Sequence, residues 1–337
     1  MTVVKEHNDI NQDHWSQTKE AGTLAGMRFV YFLYRLFGRW IFTLIMYPVA
    51  LYFVLFRPEQ RKASLKYLRA HYHVRPAMWS KKPGYWHVLL HFHHFAEVIL
   101  DKLLGWLDEI KPSDFVLTFP EKVDKLLNDS RGQLIIGSHF GNLEFCRGFM
   151  HRYNHHDKTI NILLYDKHAG NFVRMMQSQN DASRMNVFQV DEFDVTTIMM
   201  LKEKIDAGEW VFIAGDRIPL SGVNRTVNVN FLGATAPLPI GPYMLAKALA
   251  CPVKLMFAYR SPKVNQKVLF DVSELCDSLQ INRKTRQQDL TGYAQKFADK
   301  LEEHCLESPY QFFNFYDFWQ PGTEYSQLTG HKQEGVQ

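Results

Sequence analysis

From Phe115 onward the chain repeats one alternation, a short apolar run followed by a stretch whose hydrophobic positions recur at helical spacing. The apolar runs predict strands at Phe115–Phe119, Leu134–Gly137, Ile160–Tyr165, Val187–Val190, Trp210–Ala214 and Val253–Tyr259. Helices are predicted between them at Glu121–Leu127, Asn142–Met150, Phe172–Gln179, Thr196–Asp206 and Pro242–Ala250. Strands that alternate with helices pack as an α/β fold, so we expect a mixed, largely parallel central sheet flanked by helices. In Thr226–Phe231, Val227, Val229 and Phe231 fall on one face, which predicts a further strand leading into the Phe231-Leu232-Gly233 turn. The polar stretch Thr285–Cys305 and the aromatic stretch Ser308–Trp319 are both predicted to be helices.

The N-terminal third is patterned differently. After a polar tail, 1–23, comes an apolar segment, 24–58, in which Trp40–Phe56 carries no charge over 17 positions. As a helix this run is about 25 Å long, short of the ~30 Å bilayer core, and Pro48 favours a kink. Arg28, Arg35 and Arg39 recur on one helical face, so attachment in the membrane interface is the preferred reading; a buried core helix is the alternative. Arg57, Arg61, Lys62, Lys66 and Arg69 follow the run, a bias that would keep the remainder cytoplasmic. Helices at Glu59–His71 and Tyr85–Trp106 then open a single expected catalytic domain, 59–320, before a second polar tail, 321–337.

The chemistry concentrates at Gly137-Ser138-His139-Phe140-Gly141-Asn142-Leu143-Glu144, where an imidazole and a carboxylate stand five positions apart just after an apolar strand. Gly141 suits the tight bend, Asn142 suits an N-cap, and Glu144 falls in the first helical turn, from which it can face the ring and fix its tautomer. A neutral histidine so held takes a proton from a hydroxyl or amine. Read plainly, Glu144 caps a helix and His139 is a satisfied turn residue, and spacing alone does not separate the two readings.

Asp216-Arg217 follows the strand Trp210–Ala214 at the same edge, so it can converge with His139 on one cleft. Arg217, helped by Arg225, suits a phosphate group, whose oxygens a guanidinium pairs bidentately; a surface ion pair with Asp216 is the alternative. Asn142 and Arg147 join these as substrate-binding candidates. Gly241, which opens a helix with Pro242, offers free amides to an anion, although glycine and proline are also what a helix start needs.

Other classes are disfavoured. His87, His91 and His94 share a helix face with Asp101, but without a glutamate in an H-E-x-x-H pattern no metal is expected. Gly137-Ser138-His139-Phe140-Gly141 centres on histidine and is not a serine nucleophile elbow. No dinucleotide or P-loop glycine pattern occurs. Lys and Arg number 39 against 35 acidic residues, a net +4 that permits contact with anionic membranes or an acidic carrier protein and does not suggest nucleic acid. Cys146, Cys251, Cys276 and Cys305 are scattered and read as reduced thiols, and the polar start does not resemble a secretory signal.

The His139–Glu144 block, Gly215-Asp216-Arg217, and the stretch from Phe231-Leu232-Gly233 through Gly241-Pro242 to Cys251-Pro252-Val253 occur in one order. Together they resemble the bacterial lipid A late acyltransferases of the lauroyl/myristoyl type, a branch of the lysophospholipid acyltransferase superfamily with an H-x4-D/E signature. The resemblance runs from about Tyr85 to Trp319. It implies transfer of a fatty acyl chain from a thioester, on acyl carrier protein or coenzyme A, to a hydroxyl or amine of a lipid or glycolipid. His139 and Glu144 would be the general-base dyad, with site roles for Asp216 and Arg217 and no cofactor. The expected place is the cytoplasmic face of a bacterial inner membrane. An aromatic-His-Arg-Arg-type run of that family is matched here by Asn314-Phe315-Tyr316-Asp317-Phe318 without the basic pair, which leaves the acceptor open. A non-catalytic lipid-binding scaffold and a thioester or lipid hydrolase are the alternatives.

Overall fold

The computed structural model describes residues 24–106, 109–146, 149, 158–164, 185–189, 194–218, 225–265 and 267–319. The polar tails, Arg147 and the helix predicted at Phe172–Gln179 lie outside them. Three helices come first: α1 (Leu24–Phe56), α2 (Pro58–Val74) and α3 (Tyr85–Trp106). The strands are β1 (Phe115–Leu117), β2 (Gln133–Gly137), β3 (Ile160–Leu164), β4 (Met185–Gln189), β5 (Trp210–Ala214), β6 (Thr226–Phe231), β7 (Ala234–Pro239), β8 (Val253–Arg260) and β9 (Val268–Cys276). Helices α4 (Pro120–Asn128), α5 (Val195–Asp206), α6 (Gly241–Leu249) and α7 (Arg286–Glu307) fall among and after them.

Seven strands form one sheet in the order β1-β9-β8-β2-β5-β3-β4. From β8 to β4 neighbours are parallel, whereas β9 turns back antiparallel on β8 and β1 runs parallel to β9. β6 and β7 make a separate antiparallel hairpin. The sheet is thus mixed and mostly parallel, with helices against it, as expected.

Period-2 alternation sorts its side chains onto two faces. Leu134, Ile136, Val211, Ile213, Leu255 and Phe257 belong to one buried cluster, and Ile135, Trp210, Phe212, Met256 and Ala258 to the other. Strands covered on both sides read as continuous apolar runs, which is why β2, β5 and β8 were visible in the sequence.

Three elements differ from expectation. β9 was not predicted because Asp271, Ser273 and Glu274 interrupt its apolar pattern. Asp271 is fully buried and takes its charge partners from α7, where Lys300 Nζ lies 2.9 Å and His304 Nε2 3.1 Å from Oδ2. β7 contains Pro237 and Pro239, which demote a strand prediction; in a two-stranded ribbon each strand keeps a free edge toward which a proline nitrogen can face.

The third is Ser308–Trp319, predicted as a helix but found as one 3-10 turn, Pro309–Gln311, followed by extended chain. Its backbone is spent elsewhere: the Phe312 carbonyl accepts from His91 Nε2 at 3.0 Å, and the amide of Phe313 donates to the His139 carbonyl at 3.2 Å. His91, on the histidine stripe of α3, is therefore a buried packing residue. Its Nδ1 lies 2.9 Å from Ser64 Oγ, and burial pushes its pKa down to about 3, so it stays a neutral link.

Candidate active site

β2 and β5 lie side by side and in register, with Gly137 paired to Ala214. The Gly215 amide extends the ladder by donating to the Gly137 carbonyl at 2.9 Å. His139 and Asp216 are each two residues beyond that last pair, so the parallel register delivers them to the same point at the carboxyl edge of the sheet. His139 Nδ1 lies 2.9 Å from Asp216 Oδ1, and the His139 amide donates to Asp216 Oδ2 at 2.9 Å. The sequence reading expected Glu144 to face the imidazole and fix its tautomer; in the fold the carboxylate at Nδ1 is Asp216.

Glu144 is nevertheless buried in the same loop. Asn142 caps the helix start as expected, its Oδ1 accepting the Glu144 amide at 3.0 Å. The Phe145 amide donates to the Asn142 carbonyl at 3.0 Å, and the Glu144 Cβ lies against Gly105 at the end of α3.

The loop that carries His139 is stitched on two sides. The amide of Gly141 donates to the Gln311 carbonyl at 2.7 Å, and the Asn142 amide donates to the Ala258 carbonyl of β8 at 2.9 Å. The C-terminal segment also enters the site through Asn314. Its Nδ2 donates to Asp216 Oδ2 at 3.0 Å, and its Oδ1 accepts from Arg217 Nε at 2.9 Å. Arg217 spends a further N–H on the Phe313 carbonyl at 3.2 Å. Sequence reasoning missed Asn314, and the available signal was an amide side chain inside an otherwise aromatic run.

Burial raises the Asp216 carboxyl, but His139, through its charge and hydrogen bonds, together with Arg217, outweighs it and holds the pKa below the usual range. Burial and then the Arg217 charge push the His139 pKa down, against the pull of Asp216. The imidazole is therefore neutral at pH 7. An ionised Asp216 requires the Nδ1 proton, which leaves Nε2 as a bare acceptor. The side chain is 29% exposed, enough for Nε2 to meet a substrate proton.

The pH dependence follows. A general base works above its pKa, so the acid limb of kcat/KM is expected below the ordinary histidine value of ~6.5. Arg217→Gln removes a cation that lowers this pKa and should move the limb to higher pH; Arg217→Lys keeps the charge and should leave it near the native position. A pH profile of the two variants checks this.

The family described as bacterial lipid A biosynthesis acyltransferase matches residues 112–320. The chain belongs to that family. As a lipid A-type acyltransferase it carries its match over the whole sheet, with His139, Asp216 and Asn314 inside and α1 to α3 outside. A search of curated proteins finds no match.

The remaining candidates of this acyltransferase are arranged as follows. Arg225, which is exposed, accepts the Ile240 amide on its carbonyl at 3.1 Å, so Arg225 and Gly241 meet at the open end of the β6–β7 hairpin. Among the described residues the hydrogen bonds onto Asp216 come instead from His139, Asn314 and, at 3.4 Å onto its carbonyl, Tyr316. No group of three or more histidines, cysteines or acidic residues among the described residues is placed to hold a metal.

Proposed function

We propose that the protein transfers a fatty acyl chain from an acyl thioester, carried by acyl carrier protein or coenzyme A, to a hydroxyl or amine of a lipid or glycolipid. His139 is the general base and Asp216 its orienting carboxylate; the hydrogen bond between His139 Nδ1 and Asp216 Oδ1 at 2.9 Å carries this reading.

Nε2 takes the acceptor's proton as its oxygen or nitrogen attacks the thioester carbonyl. The tetrahedral intermediate collapses with cleavage of the carbon–sulfur bond, and the imidazolium returns the proton to the thiolate. Product ester or amide and free thiol leave a neutral histidine, with no acyl-enzyme. Asp216 stabilises the transient imidazolium. Arg217 braces Asn314 and the segment behind the pair, and its charge adds to burial in keeping the resting imidazole neutral. Glu144 is a second carboxylate of the loop and positions its helical turn. For an anionic head group or the donor's phosphate, Arg225 beside the amides at Gly241 is the proposed contact.

The family implies a lipid acceptor, and α1 contains the one helix among the described residues that is long and apolar enough to cross a membrane, Tyr34–Phe56, with mean hydropathy 1.7. The basic run Arg57 to Arg69 supports attachment to the cytoplasmic face of an inner membrane.

The test is product analysis. Purified protein given labelled acyl carrier protein, or labelled acyl coenzyme A, with membrane lipid extracts is expected to place the label on a lipid identified by mass spectrometry. Release of free fatty acid as the main product would make it a hydrolase. Turnover of neither donor, with lipid bound, would make it a scaffold.

A further inference from the structure

Helix α1 is kinked at Gly38, and from Tyr31 to Val54 one side of it is bonded to the catalytic domain. Tyr31 Oη donates to Glu109, just beyond α3. Arg39 grips Asp101 of α3 through two N–H groups. Thr43 Oγ1 donates to Glu97 at 2.9 Å, and its carbonyl accepts from His93 Nε2 at 2.8 Å. Tyr47 stacks on His93, and the Val54 carbonyl accepts from Arg61 at 2.7 Å.

Asp101 is wholly buried and is held from its other side by Arg260 at the end of β8, with Nε at 2.7 Å and Nη2 at 2.8 Å. β8 is the strand whose Ala258 carbonyl holds the His139 loop. Away from these bonds Trp40, Leu44, Leu51 and Leu55 are exposed, a stripe at spacings of four and seven residues, with exposed Leu36 on the other side of the kink. Exposed Arg35, Arg57 and Lys62 flank it.

A spanning α1 would carry this polar ladder with it. Glu97, Asp101, Glu109 and the end of β8 would then enter the hydrocarbon, where charged groups are strongly disfavoured. We propose that α1 lies flat in a single leaflet, its leucine stripe among the acyl chains and its basic residues at anionic head groups, with the Arg39–Asp101–Arg260 triad locking it to the catalytic edge. This rests on the membrane attachment proposed above and not on acyl transfer. It gives the lipid acceptor a route to His139 from within that leaflet.

The test is spin-label depth on the full chain in vesicles of phosphatidylethanolamine and phosphatidylglycerol. Single cysteines replace Leu36, Leu44, Leu51 and Leu55, in a background with the native cysteines changed to serine or alanine and checked by thermal melting. Leu36 lies before the Gly38 kink, and Leu44 to Leu55 beyond it are eleven residues apart, about 17 Å of helix. In-plane binding places all four labels at one depth, about 5–10 Å below the head groups. A profile that is shallow at both ends and deepest between them means a span and overturns the proposal, as do labels that stay in water or are buried against a second copy of the chain. Asp101→Asn should spread the four depths while the chain still melts cooperatively, with Arg39→Leu as the substitute if that variant does not fold. A uniform profile in the folded variant removes the lock. Depth is read without turnover, so loss of the acyl-transfer reading and loss of this one are separate outcomes.

Discussion

Asp216→Asn is expected to lower kcat by about 10⁴-fold, close to the floor set by His139→Ala, with the fold retained. The carboxylate accepts on both oxygens, Oδ1 from the His139 ring and Oδ2 from the His139 amide and Asn314 Nδ2. An asparagine has one acceptor and one donor for these three contacts. Turned with its NH2 toward the ring, it donates to Nδ1, moves the imidazole proton to Nε2 and removes the base. Turned the other way, it keeps the tautomer but sets an NH2 against two N–H donors in a site with no exposure, and no counter-charge remains for the imidazolium. Either way the proton acceptor fails, while the volume and the strand ladder are unchanged. Steady-state kinetics and a melting curve check both halves. Glu144→Gln leaves the Nδ1 partner in place, and its loss is expected to be smaller by at least about tenfold. Equal losses would return the orienting role to Glu144.

The register between β2 and β5 explains what could be read from the sequence and what could not. Both strands are bounded apolar runs, so their ends, and with them the convergence of His139 and Asp216 on one edge, were legible. The H-x4-E spacing favoured Glu144 because it is local, whereas the contact at Nδ1 joins residues separated by 77 positions. Nothing in the spacing between two strands states their register. Asn314 was hidden for a related reason. The aromatic run around it suits either a helix or an extended strip, and the choice is made by tertiary partners, namely the carbonyl-seeking His91 and the free backbone of the His139 loop. β9 was obscured by its own buried carboxylate, since Asp271 is tolerable in a core strand only with Lys300 and His304 supplied by a distant helix.

Gly141→Ala is expected to destabilise the protein by on the order of 3 kcal/mol and to depress activity by about 10²-fold in whatever fraction stays folded. Gly141 has φ +68°, a conformation that costs an L-residue roughly 1–2 kcal/mol. A Cβ there would stand 2.3 Å from the Ala258 carbonyl oxygen and 2.6 Å from Tyr259 Cβ. The first of these is backbone in a buried strand, and it is the oxygen that accepts the Asn142 amide, so relief by shifting the loop breaks that bond and strains the one from Gly141 to Gln311. Both bonds lie two and three residues after His139, so the shift that accommodates a methyl also displaces Nε2 from the acceptor's proton. Gly292→Ala supplies the contrast. It lies within α7 with nothing inside 4 Å of the added carbon, and alanine there should stabilise by up to about 1 kcal/mol with kcat unchanged. Paired melts and kinetics decide the matter: a Gly141→Ala enzyme as stable and active as Gly292→Ala would mean that the two-sided stitching of the His139 loop does not set its geometry.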